Sequence, residues 1–285
     1  MRANSSIRHP APAAGSDQAA GLRSLLRRRT LRVLPVLGDR DAAAQGACAA
    51  QLAIAFGHAG RRVVLIDAAG GALAALGIAP RADLPAMVRG EIAFAEVATP
   101  LAAGVRAIAA CDGLSTVLGD DPGGTEFFTG FLRLDAPAEL IVLNLPAEPP
   151  VPNGHWLPLI DDSAEALLVM GVREESLTAA YATAKQAWAR PPSPPPSFRV
   201  LVNGADGERE ARAASRKLAD AARRFLGAAV GYCGNVPRSA RGQMVRSGAT
   251  AHAEATRAFA RIAADAQGWR MATCMLDESI ATPTH

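Results

Sequence analysis

Short apolar runs and amphipathic stretches take turns along most of the chain. The runs are LRVLPVL (31–37), RRVVLID (61–67), GVRAIAA (104–110), ELIVLNL (139–145), EALLVMG (165–171), FRVLVN (198–203) and AAVGYCG (228–234). Runs this short, with few polar interruptions, predict strands buried on both faces of a parallel sheet. Segments 47–60, 174–188, 207–226 and 249–267 predict helices. In the first of them Leu52, Ile54, Ala55 and Phe56 face inward, and Gly60 lies near the C-terminal cap. Strand, helix and strand within 31–67 form a βαβ unit, with GDRDAAAQG (38–46) as the loop after the first strand. The predicted fold is α/β: a single doubly wound, mostly parallel sheet over residues 31–268.

Residues 1–30 predict a flexible arm with a short helix. Ser16-Asp17 offers the cap, Leu22, Leu25 and Leu26 share one face, and Arg23, Arg27, Arg28 and Arg29 line the rest. RPPSPPPS (190–197) reads as a stiff loop, and residues 269–285 as an irregular tail.

Composition narrows the function classes. Hydrophobic residues make up 49% and charged residues 20%, which excludes a mainly disordered chain. A net charge of +3 is too mild to argue for nucleic acid, and an aromatic content of 5% argues against base-stacking platforms. Cys48, Cys111, Cys233 and Cys274 lie far apart, with no histidine at metal-ligand spacing, so buried reduced thiols and no metal site are expected. The polar, proline-broken start is no signal peptide, and no apolar run reaches the ~18 residues of a spanning helix. A cytoplasmic protein is expected, with peripheral contact at the inner membrane left open.

Candidate chemistry belongs to the loop after the first strand, since ligands of open parallel sheets bind at the carboxyl ends of strands. A phosphate-cradling loop there needs glycines, a lysine for the β- and γ-phosphates and a hydroxyl for Mg²⁺. This chain has Gly38-Asp39-Arg40-Asp41-Ala42-Ala43-Ala44-Gln45-Gly46, and no lysine before Lys185.

The order of elements resembles the MinD/ParA family of deviant Walker ATPases. Against its loop GKGGVGKT the first lysine falls on Arg40, the second on Gln45 and the threonine on Gly46. The family strand ending Asp-x-Asp is here Asp67-Ala68-Ala69, its next aspartate falls on Asn144, and its adenine-reading asparagine matches Asn203. The resemblance thus marks Gly38, Arg40, Gln45, Gly46, Asp67, Asn144 and Asn203 as positions of a degenerate nucleotide site. Gln45 supplies no ammonium charge, Gly46 no metal-binding hydroxyl, Ala69 no water-orienting group and Asn144 no carboxylate. Asp39 and Asp41 add negative charge beside the triphosphate path. Each lost transition-state contact costs ~10²–10³ in rate. No catalytic residue and no cofactor are therefore expected. The alternative is a weak ATPase that grips ATP and Mg²⁺ with Arg40.

One branch is singled out. Asp17-Gln18-Ala19-Ala20-Gly21-Leu22-Arg23 resembles the D-Q-A-x-x-L-R motif of the FlhG (FleN/YlxH) regulators of flagellar number. Segments 76–97, 174–186, 198–227 and 231–239 are similar to that branch as well, so the resemblance runs over about residues 17–265. It implies a pseudo-ATPase that docks on the signal-recognition-particle-type GTPase FlhF through Asp17, Gln18, Leu22 and Arg23 and stimulates its hydrolysis. It further implies a flagellar transcription activator or switch-complex protein as partner, a homodimer, and membrane contact through a C-terminal helix. Here Phe259, Ile262 and Ala263 share a helix face, which core packing explains equally well. Further alternatives are a DNA-binding partition-type protein, with Arg27–Arg29 more simply a solvated charge run, and a MinD-like accessory protein of another surface organelle such as pilus or cellulose export.

Overall fold

The computed structural model describes residues 31–79, 87, 91–111, 138–147, 165–188, 197–237 and 249–274. The expected arm with its docking residues Asp17, Gln18, Leu22 and Arg23 lies outside these residues, as does the proline-rich loop.

Among the described residues nine strands form one sheet. In chain order they are β1 (Leu31–Gly38), β2 (Val63–Asp67), β3 (Thr99–Ala102), β4 (Val105–Ala109), β5 (Leu140–Asn144), β6 (Glu165–Met170), β7 (Ser197–Ala205), β8 (Val230–Pro237) and β9 (Ala272–Cys274). The spatial order is β3-β4-β2-β5-β1-β6-β7-β8, with β9 paired to β1. β2 with β4 and β5, β1 with β5 and β6, and β6, β7 and β8 in turn are all parallel. Among the described strands, only β3 on β4 and β9 on β1 run antiparallel. The doubly wound parallel sheet expected from the apolar runs is what forms.

Helices cover both faces. On one lie α1 (Ala42–His58) and α6 (Ala249–Asp265), whose Leu52, Phe56, Phe259 and Ile262 pack on Leu34, Val36, Leu65 and Val142. On the other lie α4 (Glu174–Trp188) and α5 (Glu208–Leu226), over Val33, Ile141, Leu168, Phe198 and Val200. Two short helices are α2 (Ala72–Ala75) and α3 (Phe94–Val97). Alanine dominates α1, and with side chains this small the helix lies close on the sheet. Phe259, Ile262 and Ala263 are buried among core residues, so core packing accounts for that face.

Four expectations need correction. The loop written 38–46 is shorter: α1 begins at Ala42, because Asp41 caps it and three alanines then favour helix. Within α1, Ile54 is only half-buried, and Ala53 takes the inward position. Cys111 is exposed rather than buried. The tail is not irregular from 269: Trp269 and Met271 are buried, and Ala272–Cys274 forms β9 against Leu31–Val33. β6 pairs with β1 only at Val36–Gly38, which leaves the start of β1 with an open edge that the tail fills.

Candidate functional site

The carboxyl ends of β1, β2 and β5 lie side by side, in register Val36 to Asn144 and Asn144 to Asp67. That places Gln45, Gly46, Asp67 and Asn144 in one cluster. Gln45 is on the first turn of α1 and turns its amide back under the sheet end. The two protons of its Nε2 are shared among three acceptors, Val36 O at 3.1 Å, Asn144 Oδ1 at 2.8 Å and Leu145 O at 2.6 Å. Asn144 Nδ2 in turn donates to Asp67 Oδ1 at 2.7 Å and Gly70 O at 3.3 Å. Asp67 Oδ2 accepts from Ala72 N–H at 2.8 Å and so holds the start of α2. Gln45, Asn144 and Asp67 are 1%, 0% and 3% exposed.

Asp67 thus caps the loop after β2. Burial pushes its carboxyl above the ordinary value, opposed by hydrogen bonds from Asn144 and from the backbone of Ala72, Leu73 and Gly70. Its hydrogen-bond donors in the described structure are all amide groups, of Asn144 and of the backbone.

Gly46 sits where α1 passes the β2–α2 loop. A Cβ there would come within 2.5 Å of Ala72 N and 2.9 Å of Gly70 O. The loop can lie so close because Gly71 adopts φ +86°, a left-handed conformation, and a Cβ at Gly71 would stand 2.7 Å from Ala42 O. Gly38 lies directly over the Gln45 amide in the same manner.

The loop itself is held by its acids. Asp41 Oδ1 accepts from Ala44 N–H at 3.0 Å at the N-terminus of α1. Asp39 Oδ2 accepts from Gly171 N–H at 2.8 Å and from the Ser176 hydroxyl, and Oδ1 accepts from Asp41 N–H at 3.3 Å. Between them Arg40 is driven to φ 76°, unfavourable for a residue with a Cβ. Thr183 Oγ1 donates to Gly38 O at 2.9 Å.

Asn203 stands apart, on β7, two strands from β1. It is 2% exposed, and neither amide atom has a partner among the described residues. An amide left so is what a bound base would satisfy. The other end does not fit magnesium-bound ATP. No ammonium is present at 45, no hydroxyl at 46, and backbone fills the space beside Gly46. Among the described residues no group of three or more His, Cys, Asp or Glu could hold a metal ion.

Sequence reasoning missed the tie from Asp39 to Gly171 and Ser176. A serine early in a helix gives no sign of a partner 137 residues away. The Gly70-Gly71 pair did carry a signal, since two glycines after a strand end mark a tight turn.

No family model matches the chain. It is 26% identical over 216 residues to antiactivator FleN of Pseudomonas aeruginosa, covering 73% of this chain and 74% of that one. The MinC:MinD cell division protein complex of Aquifex aeolicus superposes with TM-score 0.60 at 17% identity, covering 83% of this chain and 96% of that chain. A ParA family ATPase from Chlorobium tepidum gives TM-score 0.54 at 14% identity, over 85% and 95%. Among the described residues no helix is long and apolar enough to cross a membrane. The chain thus has the fold of the MinD and ParA family proteins, and its sequence is similar to that of antiactivator FleN.

Proposed function

We propose that the protein is a FlhG-like regulator of flagellar number that works without an ATP cycle. It docks on an FlhF-type GTPase through Asp17, Gln18, Leu22 and Arg23 and stimulates GTP hydrolysis. The observation that carries the nucleotide-free part is the buried Gln45–Asn144–Asp67 chain, which joins by neutral amides the positions where the family resemblance calls for a lysine and a carboxylate. The similarity to an antiactivator supports the regulatory part, and a flagellar transcription activator or switch-complex protein is the further partner it suggests. The protein works in the cytoplasm, free or at the inner membrane surface.

The test is the GTP hydrolysis rate of the cognate FlhF with and without this chain. Stimulation is expected, lost in Gln18→Ala. A folded wild-type protein that gives no stimulation would overturn the docking role. Calorimetric titration with ATP should show no magnesium-dependent micromolar binding.

A second reading is a weak MinD/ParA-like ATPase. The unpartnered amide of Asn203 favours it, with Arg40 as the phosphate grip. The same titration separates the two. A partition-type DNA role is tested by retention on non-specific DNA at low salt, where none is expected.

A further inference from the structure

We infer that the chain carries its own lock on the loops at the carboxyl end of the sheet, so that they keep one arrangement whether or not nucleotide is present. The inference rests on the reading of the site as unable to take magnesium-bound ATP, and it names what holds the site instead.

The links run in series across three loops. Ser176 and Gly171, after β6, donate to Asp39. Asp39 accepts from the Asp41 N–H, and Asp41 caps α1 through Ala44 N–H. One residue on, Gln45 ties α1 to the ends of β1 and β5 through Val36 O, Leu145 O and Asn144. Asn144 then ties β5 to Asp67 and Gly70, and Asp67 to Ala72. The loop 70–72 lies on the first turn of α1 with no room for a side chain between them. Loops after β1, β2 and β6 are thereby joined through side chains of this chain alone.

Two features make this a lock rather than a resting form that awaits a ligand. The N-terminus of a helix favours an anion, and here the Asp41 carboxylate already occupies that position. A phosphate at that helix end would have to displace Asp41 from the Ala44 N–H. The central Gln45–Asn144 bond, moreover, is buried, where such bonds are strong and their loss is costly.

Hydrogen exchange on the full chain tests this, with and without MgATP and MgADP. In the wild type, amides of 38–46 and 67–73 should exchange at the same rate in all three conditions. Gln45→Met keeps the volume and removes the amide. It should raise exchange of 68–72, across the Asn144 link, by about tenfold and leave β7 and α5 unchanged. Ser176→Ala is a milder change that removes one donor to Asp39, and should raise exchange at 39–41 alone by several-fold. Protection of the wild type by MgATP overturns both the nucleotide-free reading and the lock. A wild type indifferent to nucleotide, with 68–72 unchanged in a folded Gln45→Met variant, overturns the lock only. If Gln45→Met does not fold, unchanged exchange at 39–41 in Ser176→Ala overturns it.

Discussion

Gly46 and Asp67 show how far single residues constrain this site. Gly46 was notable in the sequence only as a missing threonine. Its Cβ would collide with backbone of Gly70, Gly71 and Ala72, which cannot move without lifting α2. Gly46→Ala should therefore cost about 1–3 kcal/mol in urea denaturation, although alanine is the better helix former. An unchanged midpoint would show that the β2–α2 loop gives way easily. Asp67 makes a pH prediction. Its folded pKa is raised above the ordinary 3.8 by burial. The native state thus holds this proton more tightly than the unfolded chain does. Its contribution to stability is full below the unfolded pKa and is lost as pH rises through the folded value. Denaturation of wild type and Asp67→Asn at a series of pH values from 3 upward checks this. The wild type should lose stability relative to the variant as pH rises over that window, and a flat difference would refute the assignment. Gln45 and Asn144 were legible as lost charges. Their mutual bond was not, because 99 residues separate them and only strand register brings them together.

Among the elements, β9 is where local pattern failed. ATC is too short and too mixed to announce a strand. Its place is fixed by anchors around it. Glu165 at the start of β6 accepts from Arg199 at 2.8 Å and from Arg270 N–H at 3.1 Å. The Arg199 guanidinium lies over the Trp269 ring, 5.7 Å from its centroid, and Arg32 donates to Trp269 O. With Glu165 buried and Arg199 a third exposed, Glu165→Ala should cost about 2–3 kcal/mol and free the segment 269–274 to proteolysis. Intact resistance to protease would mean that β9 holds by backbone pairing alone. The start of α1 has a similar explanation. Asp41 capping sets it at Ala42, whereas the apolar rhythm becomes visible only from residue 47, once the helix faces the sheet.

For the whole molecule, the prediction concerns assembly. If ATP does not drive a change at the loops, sedimentation should give the same oligomeric state with and without MgATP. A homodimer that appears only with nucleotide would contradict this. The sheet itself was legible from seven apolar runs, since strands covered on both faces must be apolar throughout. Strand order was not, nor the antiparallel pairs β3–β4 and β9–β1, which depend on edges that only the assembled sheet presents. By itself the sequence determined the α/β class, the crossover from β1 to β2, and which residue types stand in the loop after β1, because these follow from local periodicity and chemistry. Only the tertiary structure decided that Gln45, Asn144 and Asp67 meet, that backbone closes the space beside Gly46, and that the tail completes the sheet. Those outcomes depend on contacts between segments distant in the chain, and burial then made each of those contacts costly to lose.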